Sequence, residues 1–203
     1  MKIVIAFWLC GLPIILPAQI QKTFTSPAGL FRLRYSDFLV NCMSRPEGSS
    51  YPDSCQSQGA VCSAPGSDGI TMACFAFPKE KFRANHQFVA ATVFVAEIKS
   101  AQNQKACLKG SQNWFVISSE PKTITINHVT LREFEVGDNW AGGGQSGPVY
   151  RTFHNGVCYE LGIQEVLSRA AYDPERDKPL THENRAEVQK PLAQVLNSFV
   201  FLK

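Results

Sequence analysis

Residues 148–163, PVYRTFHNGVCYELGI, decide how this chain is read. Asn155-Gly156 stands between two runs rich in β-branched and aromatic residues. A type I′ turn needs positive φ at both central positions. Asn and Gly supply it at low cost, and the twist of that turn suits a two-residue hairpin. The turn then sets the register. His154 falls opposite Val157, Phe153 opposite Cys158, Thr152 opposite Tyr159, Arg151 opposite Glu160 and Tyr150 opposite Leu161. One face carries Tyr150, Thr152, Tyr159 and Leu161. The other carries Phe153, Cys158 and an Arg151–Glu160 cross-strand pair, of a kind worth ~0.2–1 kcal/mol. A cysteine in mid-hairpin predicts that a second segment is stapled there.

The chain has 203 residues, 44% hydrophobic and 18% charged, which is a globular balance with enough length for one domain and a core. The formal charge is +3. Lys and Arg are scattered rather than striped, so no nucleic-acid footprint is expected. Met1-Lys2 precedes an apolar run over residues 3–16, and Leu16-Pro17-Ala18 leads to the polar Gln19. This is the pattern of a signal peptide over residues 1–18, cleaved after Ala18, with a single domain over residues 19–203. Gly11 and Pro13 interrupt the run, which is too short for a comfortable membrane span. The alternative is a retained N-terminal anchor. Phe7-Trp8-Leu9 lacks the small residues of a lipid-attachment site, so Cys10 is not read as one.

Cleavage removes Cys10 from the seven cysteines and leaves six. An even number in an exported chain reads as a disulfide framework. Cys55 and Cys62 share a Ser/Gly/Pro-rich loop over residues 43–69. Cys42 follows the first strand and Cys74 lies in the second. Cys107 and Cys158 remain. The expected pairs are Cys55–Cys62, Cys42–Cys74 and Cys107–Cys158, although spacing alone does not select among the many alternatives. There is no Cys-x-x-Cys, and His86, His128, His154 and His182 form no ligand pair, so neither a metal nor a cofactor is expected.

In chain order, residues 30–35 alternate, with Phe31, Leu33 and Tyr35 on one side and Arg32 and Arg34 on the other, as in a half-exposed strand. Residues 71–77 form a strand stopped by Pro78. Residues 88–98 are apolar on both alternating sets, which predicts a central strand covered on each side. Residues 100–108 form a helix ended by Gly110. Residues 123–136 form a second hairpin around Asn127-His128. Its apolar phase slips between Leu131 and Phe134, which predicts a β-bulge. Residues 138–148 read as a glycine-rich loop. Thr181 caps a helix running to about Leu196, with Val188, Leu192, Val195 and Leu196 on one face and Pro191 imposing a kink or a late start. Residues 198–202, SFVFL, close the chain as a strand.

Several motifs imitate active sites. Gly142, Gly144 and Gly147 match G-x-G-x-x-G, but dinucleotide binding needs a helix next, and Pro148 and a strand follow. Gly144-Gln145-Ser146-Gly147-Pro148 has Gln where a serine-protease loop has Asp, and Pro148 breaks the G-x-S-x-G elbow. Cys158 is four residues from His154, but it lies on a hairpin with Phe153 opposite, and no free thiolate is left if the six cysteines pair. No catalytic residue is assigned. The candidate contact patch is Asp138, Asn139 and Trp140 at a loop tip, with Tyr150, Arg151 and His154 on the adjoining hairpin. An indole flanked by polar groups suits a sugar or peptide surface. The alternative is Trp140 tucked onto the sheet.

The opening SPAGLF (residues 26–31), leading into an apolar strand, resembles the start of PsbP-like domains. The ending VLNSFVF (residues 195–201), after an amphipathic helix, resembles their close. The layout is also similar to that of small exported proteins of Gram-negative bacteria. The resemblance implies an α+β fold, an antiparallel sheet with helices packed on it. It also implies an accessory or binding role with no shared catalytic set to carry over. The six cysteines and residues 43–69 depart from the family pattern. The expected function is a secreted or periplasmic, non-enzymatic module for a small ligand, a glycan or a protein. The rivals are a secreted hydrolase and a component of an envelope assembly.

Overall fold

In the computed structural model, Asn155 and Gly156 take φ of 49° and 81°, and the hairpin they close is the middle of the larger sheet. The structure describes residues 20–43, 55, 62–82, 87–111, 115–116, 120–168, 173, 175 and 180–203. The signal-peptide reading and most of the 43–69 loop lie outside the described residues. Along the chain run β1 (Gln21–Thr25), β2 (Phe31–Ser36), β3 (Val40–Asn41), β4 (Ile70–Ala76), a 3₁₀ turn (Lys79–Phe82), β5 (Phe88–Ile98), α1 (Gln104–Lys109) and β6 (Phe115–Val116). Then follow β7 (Lys122–Ile126), β8 (Val129–Trp140), β9 (Gly143–His154), β10 (Val157–Ser168), α2 (His182–Asn197) and β11 (Val200–Phe201). Among the described residues the larger sheet has the order β3-β4-β5-β10-β9-β8-β6, with β7 also on β8, and the smaller sheet the order β1-β2-β11. Every pairing is antiparallel. The fold is α+β, as expected.

The β9–β10 register is the one the turn dictates, from His154↔Val157 to Tyr150↔Leu161. Asn127 and His128 also take positive φ, 46° and 67°, and close the β7–β8 hairpin. β5 is paired on both edges and buried on both faces. Gly110, at φ 85°, ends α1.

One face of the larger sheet packs on the smaller sheet and α2, through Phe31, Leu33, Val93, Leu161, Leu192 and Phe199. The other face carries Phe94, Phe134 and Val149 with the first two disulfides, and Ile98 and Ala101 with the third. This division corrects the expected bulge. β8 pairs without a register shift on either edge. Leu131 belongs to the first core and Phe134 to the second. The apolar phase slips because the covered face changes along the strand.

Residues 138–148 are not a loop. β8 continues to Trp140, a turn at Ala141-Gly142 with Gly142 at φ 90° reverses the chain, and β9 begins at Gly143. The glycines serve close approach. A Cβ on Gly143 would lie 3.0 Å from Trp140 Nε1, and one on Gly144 would lie 2.6 Å from Asn139 Oδ1. Gly147 (φ 154°) leaves no room for a Cβ against the Ile163 carbonyl oxygen. The ladder to β10 breaks at this point, where Pro148 has no N–H to give.

α2 starts at His182, ahead of Pro191, and runs unbroken through it, so no late start is observed. The Thr181 hydroxyl accepts the Asn184 N–H at 3.2 Å, and the Asn184 side chain accepts the Thr181 N–H, a capping box built with Asn.

The disulfides are Cys42–Cys55, Cys62–Cys74 and Cys107–Cys158. The third is the expected one; the expected Cys42–Cys74 and Cys55–Cys62 are replaced. Cys42 and Cys74 do lie beside each other, since the Cys42 N–H donates to the Cys74 carbonyl at 2.9 Å. The returning chain also brings Cys62 over β4, where the Thr71 hydroxyl donates to its carbonyl at 3.0 Å. The sulfurs of Cys42, Cys62 and Cys74 all fall within 4.8 Å of one another. Proximity therefore leaves the partner open, and the path of the chain over β4 selects it.

Candidate functional site

Pairing between β8 and β9 stops at Arg132↔Arg151. Beyond that pair each strand keeps only its own hairpin partner, residues 129–131 with β7 and residues 152–154 with β10. The two hairpin tips diverge and leave a groove of about 810 Å³. Gln104 and Leu108 of α1 border one side, and β2, Ser198, β11 and Lys203 border the other.

The groove is basic. Arg32, Arg34, Arg132, Lys203, His128 and His154 line it, and among the described residues no Asp or Glu side chain does. Arg32 and Arg34 reach it because alternation on β2 buries Phe31 and Leu33 and turns the arginines outward. The walls are held in place. The Arg34 N–H donates to Ser198 Oγ at 2.7 Å. The Asn127 side chain donates to the Asn197 and Phe199 carbonyls and ties the β7–β8 tip to the end of α2. The His154 ring stacks on Phe201 at 3.9 Å and 9°. Arg132 Nε is buried and has no hydrogen-bond partner among the described residues.

Of the residues expected to bind, His154 is in this groove. Tyr150 is buried, and its hydroxyl is raised above the usual phenol range by burial and then by the Glu133 carboxylate. Arg151 is buried in an ion pair with Glu160. Asp138, Asn139 and the half-exposed Trp140 sit at the other end of β8. With a rise of about 3.3 Å per residue, the length of β9 separates them from His154 by roughly 35 Å. The six residues do not form one site. A second cavity, of about 520 Å³, lies beside Arg151 and is lined by Asp68, Ser100, Lys109 and Ser111. Burial pushes the Glu160 carboxyl up, while the Arg151 guanidinium pulls it down.

Sequence reading passed over Arg32, Arg34, Arg132 and Lys203 as scattered charge. The alternation in FRLRYS revealed an outward arginine face, but nothing in the spacing shows that three distant segments meet.

No protein-family model matches the sequence, and no curated protein matches it. Among solved structures the chain is similar to the cyanobacterial PsbP protein, CyanoP, of Synechocystis, with 12% identity and a TM-score of 0.41 over 96% of this chain and 99% of that one. It is also similar to the Ran-binding protein Mog1p of Saccharomyces cerevisiae, with 11% identity and a TM-score of 0.43 over 90% of this chain and 96% of that one. A protein of Bacteroides thetaiotaomicron aligns with 11% identity and a TM-score of 0.41 over 90% of this chain and 48% of its own. Among the described residues no helix is long and apolar enough to cross a membrane.

Proposed function

We propose that this chain is a secreted or periplasmic, non-enzymatic binding module that holds an anionic ligand in the groove between its two hairpin tips. The observation that carries the reading is the convergence of Arg32, Arg34, Arg132 and Lys203 on one groove, with no carboxylate side chain among the described residues that line it. Guanidinium groups bind carboxylate, sulfate and phosphate through paired hydrogen bonds. The buried, unbonded Arg132 Nε supports the same reading, because an unsatisfied buried donor costs stability until a ligand completes it. Three disulfides support an oxidising compartment.

Calorimetric titration with triphosphate and with citrate tests the proposal. Binding should weaken as salt rises, and should fall at least tenfold in Arg132→Gln and in Arg34→Gln. No measurable binding of either anion, or affinities unchanged in both variants, would remove the reading.

A further inference from the structure

We infer that the ligand of this groove is an extended acidic polypeptide segment that adds as a strand to the open backbone edges at Phe153 and Thr130. The inference rests on the proposed anion site and goes beyond it in naming the partner.

In a two-residue hairpin the residues flanking the turn form a hydrogen-bonded pair, and the direction of N–H and C=O then alternates along the strand. His154 and Thr152 therefore turn their backbone groups to β10, and Phe153 turns its groups toward β8. By the same rule Val129 and Leu131 serve β7, and Thr130 faces β9. Arg132↔Arg151 is the last pair of the β8–β9 ladder; continued by two residues, the register would bring Thr130 opposite Phe153 as the next hydrogen-bonded pair. They are not paired with each other: Thr130 lies opposite Thr125 of β7 and Phe153 opposite Cys158 of β10, and among the described residues no turn or loop hydrogen bond engages either backbone on its other edge. The groove lining agrees. Residues 129–132 and 152–154 border it as unbroken runs. Successive side chains of a strand point to opposite faces, so an unbroken run borders a cavity through its backbone edge. Such an edge is a template for another strand.

Charge selects the guest. Arg32, Arg34 and Lys203 stand on the side of the smaller sheet. Arg132 shares the opposite face with Phe153, toward α1, where Gln104 and Leu108 lie. A guest strand sends alternate side chains to these two sides. Carboxylates at every second position would meet the arginines of β2, and the intervening positions would take apolar or acidic side chains. An oligosaccharide or an inorganic anion would use the cations and leave the backbone edges open.

The test uses an eight-residue peptide of alternating Glu and Val, two versions N-methylated on one or the other alternate set of amides, and a sulfated oligosaccharide of similar charge. The parent peptide should bind the intact protein, and at least one methylated version should bind at least tenfold more weakly. Amide hydrogen exchange at Phe153 or Thr130 should slow at least tenfold in the complex. If both methylated versions bind like the parent, or if the oligosaccharide binds more tightly without protecting those amides, the strand-addition inference is overturned and the anion site stands. If none of these probes binds and triphosphate does not either, the anion site falls with it.

Discussion

Arg151 meets Glu160 across the β9–β10 hairpin with its Nη2 2.7 Å and its Nε 3.0 Å from one carboxylate oxygen, Oε2, and the two side chains are 3% and 0% exposed. The other oxygen, Oε1, is buried without a hydrogen bond. Breaking such a pair strands a charge in a dry interior. Glu160→Ala should cost about 3–5 kcal/mol, whereas replacing both partners with apolar residues of similar size should cost far less. Urea denaturation of Glu160→Ala and of the Arg151→Met/Glu160→Leu double variant compares them. A double variant as unstable as the single one would contradict this account.

Two glycines should respond differently to alanine. At Gly156 nothing lies within 4 Å of an added Cβ, so Gly156→Ala carries only the left-handed strain at φ 81°, about 1–2 kcal/mol. At Gly147 the Cβ would overlap the backbone carbonyl of Ile163, in mid-sheet. Gly147→Ala should lower the melting temperature well beyond Gly156→Ala. Equal melting points would show that the β9–β10 break is looser than described.

Non-reducing peptide mapping should recover Cys42–Cys55, Cys62–Cys74 and Cys107–Cys158. Removing both Cys107 and Cys158 should cost about 2–4 kcal/mol, through freedom returned to the unfolded chain. Recovery of a Cys42–Cys74 peptide from untreated protein would overturn the pairing over β4.

Glu165 is buried, and its Oε1 lies 3.9 Å from Arg185 Nε with no hydrogen bond. Burial raises its pKa, and Arg185 and then a hydrogen bond with Gln189 lower it only in part. Between the unfolded and folded pKa values the folded state binds more protons, so this group's stabilisation is present at acidic pH and is lost as pH rises through the folded value. Glu165→Gln should raise the melting temperature at neutral pH and flatten its decline from mildly acidic pH. A variant that melts lower at neutral pH while keeping the wild-type pH slope would reject this role.

The hairpins, the central position of β5 and the capped C-terminal helix were legible in consecutive residues. Residues 138–148 misled because glycines that let Trp140 and Asn139 lie close to β9 have the composition of a loop. The phase slip at Leu131 misled because a strand that passes from one core to the other looks like a bulge when its coverage is unknown. His154 was singled out for its place on the hairpin, and it does reach the groove, but the arginines around it come from segments far apart in sequence.

By itself the sequence determined turn chemistry, register and the alternation of faces, because backbone φ preferences and a period of two act between near neighbours. Tertiary structure alone decided which sulfurs join, how deeply Arg151 and Glu160 are buried, and that two hairpin tips part to leave a basic groove. Each of these depends on where distant segments come to rest, and the interactions that place them act through space rather than along the chain.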